Sequence, residues 1–229
     1  MIHSSKKLTR TEFIVGFVYY AFYLLVLPSA LPIINALLPN PLSTSLLNCV
    51  FFLINFVAVI LIFRKYLRAN LQVAIRDPRK VLRYAALGLC IHYVGNIAIT
   101  AINILISPAF ANLNDQSVGG LLQENFSLMM IGTVLLVPIV EESFYRGLMF
   151  RSLFVNHPIA AYLVSRVAFS LLHIVSYAGT ADLLTLVLCF FQYLPVGFAL
   201  AWAYHRSGTI FTSMLIHSVV NLVGVFIMR

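Results

Sequence analysis

The chain has 229 residues, of which 61% are hydrophobic and only 10% charged. A soluble domain carries roughly 25% charged residues to keep its surface wet, so this chain excludes an ordinary soluble globule and is read as one membrane domain over residues 1–229. A net charge of +8 in a soluble protein would raise nucleic acid as a partner. Here Lys and Arg fall mainly in short loops between apolar runs, which reads as membrane topology and implies no nucleic-acid partner.

A spanning helix takes about 20 mostly apolar residues, and about seven segments qualify. They predict an all-α fold, a polytopic transmembrane helical bundle. The first covers residues 13–38, interrupted by Pro28 and Pro32. It exceeds the apolar core of about 7–15 residues in a signal peptide, so it is read as an uncleaved span. The second covers residues 46–63. The connector at 64–83 carries seven Lys and Arg residues together with Leu67, Leu71, Val73, Ala74 and Ile75. It suits an amphipathic helix on an anionic leaflet, broken by Pro78, or a merely basic connector. The third segment covers 84–107, and the fourth starts near Phe126 and passes through Glu141 and Glu142. The fifth runs from Pro158 to about Tyr177, the sixth covers 183–204 and the seventh 209–228. Cys49, Cys90 and Cys189 lie within apolar runs without metal-ligand spacing, and read as packing residues.

Basic and non-basic connections alternate. Lys6, Lys7 and Arg10, the 64–83 connector, Arg151 and Arg206 mark one side. The loops near Asn40, Asn114 and Thr180 have no Lys or Arg, and this side carries Asp115, Glu124 and Asp182. The N-terminus is therefore predicted to be cytoplasmic and the C-terminus outside.

Ionisable side chains within a span cost about 2.5–3.5 kcal/mol each, so the few present are functional candidates. Glu141, Glu142 and Arg146 share the fourth segment, Arg166 and His173 the fifth, and His217 and Asn221 the seventh. Adjacent residues on a helix point about 100° apart, so the two glutamates cannot do the same job. Glu142 and Arg146, four apart, can pair, which leaves Glu141 for chemistry. Glu141 and His173 each lie about 23 Å from the turn near Asn156 and His157, so a helical hairpin brings them level. His217 lies only about 12 Å from the basic end of its segment, so the levels agree only if the fourth and fifth helices protrude by about two turns. Within one cavity, Glu141 would take a proton from a water held with His173. His217 and Asn221 would donate hydrogen bonds to the developing oxyanion. No Ser or Cys has a base partner fixed by spacing. His92 with Asn96 reads as packing, Arg166 as snorkelling or ion pairing, and Gln192 and Tyr193 could line a groove.

Three motifs resemble those of the CAAX prenyl protease and bacteriocin-processing (CPBP, or Abi) intramembrane proteases. Glu141-Glu142-Ser143-Phe144-Tyr145-Arg146 is similar to their EExxxR motif. Phe169-Ser170-Leu171-Leu172-His173 is similar to FxxxH, and His217-Ser218-Val219-Val220-Asn221 to HxxxN. They stand in the family's order, within a protease core at 126–221. The resemblance implies an endopeptidase acting on a membrane-associated peptide or lipidated protein, in CAAX-type processing, peptide maturation or bacteriocin self-immunity. It implies water activation by Glu141 and His173, an oxyanion hole from His217 and Asn221, and support from Glu142, Arg146 and Phe169. It places the protein in a bacterial plasma membrane, with the site opening to the cytoplasmic side. Family members are often called metalloproteases, and Glu141, His173 and His217 are the set that would hold zinc. HExxH is absent, and the favoured mechanism requires no cofactor. Two other readings remain open: a non-catalytic scaffold or immunity protein that binds a membrane regulatory partner, and a proton-coupled transporter, against which stands the lack of an inverted repeat.

Overall fold

The computed structural model describes residues 7–228, so Lys6 of the basic N-terminus lies outside the described residues. The described chain is helical, without strands. Helix α1 (Arg10–Leu25) begins at a capping box in which Thr9 accepts from the Glu12 amide while the Glu12 carboxylate accepts from the Thr9 amide at 2.9 Å. The other Glu12 oxygen accepts the Tyr66 amide at 2.9 Å, which ties the start of the chain to α4. Helix α2 (Leu27–Ala36) continues from α1 after a bend of 52°. Pro28 causes it by withholding an N–H and crowding the carbonyl four residues back.

Helix α3 (Thr44–Ile62) starts on the Ser43 cap. Helix α4 (Arg64–Arg76) makes the basic connector helical. Its inner face packs Tyr66, Leu67 and Asn70 into the bundle, while Leu71 and Ile75 stay exposed. Asp77 accepts the Lys80 amide at 3.0 Å and opens α5 (Pro78–Ile106). Helix α6 (Leu113–Glu124) occupies the stretch read from sequence as a loop. Glu124 accepts the Ser45 amide at 3.1 Å, which fastens α6 to the start of α3.

Helix α7 (Phe126–Phe154) carries the glutamates. Two π-helical stretches, Gly132–Leu136 and Ser143–Phe150, flank its central turn Val137–Glu142. Helix α8 (Pro158–Leu172) follows, then a 3-10 turn at Val175–Tyr177. Helix α9 (Leu183–Ser207) starts on Asp182 and ends at Gly208, whose φ of 82° suits a residue without Cβ. Helix α10 (Ile210–Ile227) closes the described chain.

Among the described residues five helices (α3, α5, α7, α9 and α10) are long and apolar enough to span a membrane, and a sixth crossing arises if the bent α1–α2 pair is one span. The expected fifth span is shorter than read. Helix α8 ends at Leu172, about 22 Å from its start, and His173 becomes its C-cap. Apolar residues continue to Tyr177, but in a 3-10 turn that hydropathy cannot distinguish from helix.

The largest core cluster lies towards the basic connections, where Phe63, Tyr66, Phe144, Phe150 and Tyr204 are all at most 1% exposed. The hydroxyls of Tyr66 and Tyr204 stand 2.9 Å apart within it. Asn70 joins α4 to the start of α10 through the Ile210 amide, at 3.1 Å. Helices α5 and α9 run close together, and Gly95 gives way to the ring of Pro195.

Candidate active site

Glu141 and Glu142 occupy the short α-helical turn between the two π stretches of α7. A π stretch holds an extra residue and interrupts the regular ladder, an arrangement often met at functional sites. Pro138, next to the first stretch, has no N–H to offer the carbonyl four residues back. The two glutamates point into different surroundings, as their adjacency requires. Glu142 is fully buried and accepts Arg146 Nη1 at 3.1 Å, the anticipated i,i+4 pair. The same oxygen lies 3.0 Å from His217 Nδ1. A carboxylate held by arginine accepts, so His217 donates from Nδ1 and turns Nε2 towards Glu141, 4.0 Å from its Oε2. That oxygen is buried and has no hydrogen-bond partner among the described residues.

Arg146 is fully buried, with Nη2 donating to the Gly197 carbonyl at 3.1 Å and its guanidinium 4.7 Å from the centre of the Phe169 ring. Phe169 therefore forms the floor between three site residues. Its ring centre also lies 4.7 Å from that of His173 and 5.7 Å from that of His217.

His173 Nδ1 lies 2.9 Å from the Phe169 carbonyl. A carbonyl only accepts, so the proton is on Nδ1 and Nε2 keeps a free lone pair. Tyr193 stacks on the imidazole, with centroids 4.2 Å apart and planes at 24°. Its hydroxyl reaches Asn112 at 3.2 Å and Asp115 at 3.4 Å. Asn221, one turn beyond His217, donates from Nδ2 to the Thr133 carbonyl in the first π stretch at 2.8 Å. That tie engages one of the two N–H bonds expected to serve the oxyanion and leaves the other.

Glu141, His173, His217 and Asn221 line one cavity of about 590 Å³. Their convergence meets the depth condition on His217. The cavity also takes in residues that sequence spacing left aside. Tyr193 and Gln192 are part of its wall, and so is His92, read as packing. Asn112 and Asp115 reach it from α6, where a mixed polar composition gave no pointer. Arg166 is not among the lining residues, and its stem and backbone pack against Gly197 instead.

The expected opening towards the basic side is not what the lining describes. The wall comes from Asn48 and Phe52 of α3, Asn112 to Leu121, Ser176 and Tyr177, and the end of α10. The residues of α3, of the 112–121 stretch and of 176–177 lie towards the connections near Asn40, Asn114 and Thr180, which have no Lys or Arg. On the basic side, the aromatic core closes the bundle beneath Glu142 and Arg146.

The zinc alternative asks Glu141, His173 and His217 to converge on one ion. Among the described residues no three His, Cys, Asp or Glu side chains are grouped as a metal site, and Glu141 Oε2 and His217 Nε2 stand 4.0 Å apart.

Residues 123–223 match the family model described as type II CAAX prenyl endopeptidase, Rce1-like, in agreement with the family that the three motifs resemble. No curated protein and no solved structure matches the chain.

Proposed function

On the premise that residues 123–223 carry a core of the type II CAAX prenyl endopeptidase (Rce1-like) family, we propose that this protein is an intramembrane endopeptidase cutting a membrane-associated peptide or protein. The observation that carries this reading is the convergence of Glu141, His173, His217 and Asn221 on one cavity within the bundle. The family match supports a membrane protein that acts on membrane-associated substrates.

In this mechanism a water sits between Glu141 and His173. Glu141 takes its proton, and the lone pair on His173 Nε2 holds the water in line with the scissile carbonyl. The hydroxide adds to the carbonyl carbon. The oxygen then gathers negative charge and accepts hydrogen bonds from the free N–H of Asn221 and from protonated Nε2 of His217. Glu142 accepts from Nδ1 of the same imidazole and so fixes the ring, while Arg146 holds the Glu142 carboxylate in place. Glu141 then returns the proton to the leaving nitrogen and the C–N bond breaks. No step requires a metal.

The test compares Glu141→Gln and His173→Ala with the parent, on a membrane-tethered peptide in reconstituted vesicles. Both variants are expected to insert normally and to lose cleavage by at least a hundredfold. Full cleavage by either one overturns the mechanism. A cellular phenotype that survives in both would favour the scaffold role instead.

A further inference from the structure

Seen along the bundle, the site is open at one end and closed at the other, and the two ends differ in charge. Among the described residues, Lys7, Arg10, the Lys and Arg residues of α4 and the start of α5, and Arg206 all lie at the closed end. Beneath the site that end is filled by Phe63, Tyr66, Phe144, Phe150 and Tyr204, at most 1% exposed. The fully buried Glu142–Arg146 pair separates this plug from the cavity. At the other end, Asn114, Asp115, Ser117, Ser176, Tyr177 and Met228 line the mouth. The helix fastening this rim, α6, is held by Glu124 to Ser45 and by the close approach of Gly119 to Met228. Loops rich in Lys and Arg stay in the cytoplasm during insertion. The closed end is then cytoplasmic and the mouth faces out.

We infer that the active site is entered from the extracytoplasmic side, and that its substrate is a peptide segment presented at the outer leaflet. This rests on the endopeptidase reading for the substrate, and on geometry and charge alone for the side. The lining adds a chemical preference. It contains Glu141 and Asp115 and no Lys or Arg. A carboxylate brought by the substrate, whether a side chain or a free C-terminus, meets no Lys or Arg among the described lining residues. A neutral or basic segment suits the field of the well better.

Cysteine accessibility tests the side directly. Cys49, Cys90 and Cys189 are replaced by Ser or Ala, and single changes are introduced at the rim (Ser117→Cys, Ser176→Cys) and on exposed α4 (Gln72→Cys). Intact cells expressing each variant are treated with a membrane-impermeant maleimide. The rim variants are expected to label before permeabilisation, and the α4 variant only after it. The reverse pattern, or rim labelling only after permeabilisation, overturns the inference. In a second arm, one cleavable segment is fused on either side of a reporter's membrane anchor. Only the outward-facing copy is expected to be cut, with loss of cutting in Glu141→Gln. Replacing Lys by Glu next to the scissile bond is expected to lower kcat/KM at least tenfold. Cutting of the inward copy alone overturns the substrate statement. Correct labelling with neither copy cut would strike the endopeptidase reading and leave the sidedness standing.

Discussion

His217 Nδ1 and Glu142 Oε1 stand 3.0 Å apart, and Arg146 Nη1 shares that same carboxylate oxygen at 3.1 Å. One buried atom thus fixes both an ion pair within α7 and the ring orientation of a residue on α10. Because Glu142 accepts, the His217 Nε2 edge is the one presented to Glu141 and the cavity. The second glutamate is engaged by these contacts, whereas Glu141 Oε2 has no hydrogen-bond partner among the described residues.

Arg146→Ala removes the partner of a carboxylate with no access to solvent. Breaking a buried pair on one side costs about 3–5 kcal/mol. The variant is expected to lose stability on that scale and to lose activity as His217 is released. Unfolding in mixed micelles as denaturing detergent is titrated gives the first quantity. Parent-like stability would show that Glu142 is held by something else.

Asn221→Ala leaves the helices in place but removes a donor. Loss of one oxyanion donor costs about 100- to 1,000-fold in kcat. KM is expected to stay within about threefold of the parent, since the ground-state carbonyl hardly uses this contact. Steady-state kinetics on the tethered peptide separates the two constants. A rise in KM alone would assign Asn221 to holding Thr133 and shaping the wall.

Tyr193 supports His173 through its ring and α6 through its hydroxyl. Aromatic stacking contributes about 0.5–1.5 kcal/mol, or roughly 2- to 12-fold in a rate that depends on the ring position. Tyr193→Phe is expected to retain most activity, and Tyr193→Ala to lose about tenfold in kcat. Equal rates in the two variants would mean that the hydroxyl, not the stack, is what matters.

Gly95→Ala places a Cβ 2.8 Å from Cβ of Pro195, which belongs to a rigid ring. The close contact of α5 and α9 has to open, at a cost of about 1–3 kcal/mol. Thermal denaturation in detergent should register the loss, with little change in kcat for the fraction still folded.

Dialysis against a chelator is expected to leave cleavage unchanged, because the proposed activation of water by Glu141 and His173 calls for no metal. A loss of cleavage that added zinc restores would establish the metal reading.

Much of the site was legible because helical spacing is local. Glu142 and Arg146, four apart, pair as expected, and His217 and Asn221 face one cavity for the same reason. Helix boundaries were less legible. Ile174 and Val175 are as apolar as a span requires, yet the backbone leaves the α-helix at Leu172, and α8 comes out short. The π stretches around Glu141 were hidden because an apolar run carries no periodic signal in which one extra residue would show. Tyr193 reaches His173 only through tertiary packing of α9 against α8. The direction of opening that we infer differs from the expected one for a related reason. Counting residues at 1.5 Å each gives a depth, but not which end of the bundle is plugged by aromatic rings.

The aromatic plug has an electrical consequence. With the well open to the outside, as inferred, water in it would shorten the insulating layer, and the transmembrane voltage would drop mainly across the rings of Phe63, Tyr66, Phe144, Phe150 and Tyr204. Glu142 and Arg146 sit on the edge of that steepened field with opposite charges. A lone charge moved through the whole field would feel about 2.3 kcal/mol per 100 mV. A couple of opposite charges feels almost no net force, so in that arrangement the Glu142–Arg146 pair would hardly move with membrane potential.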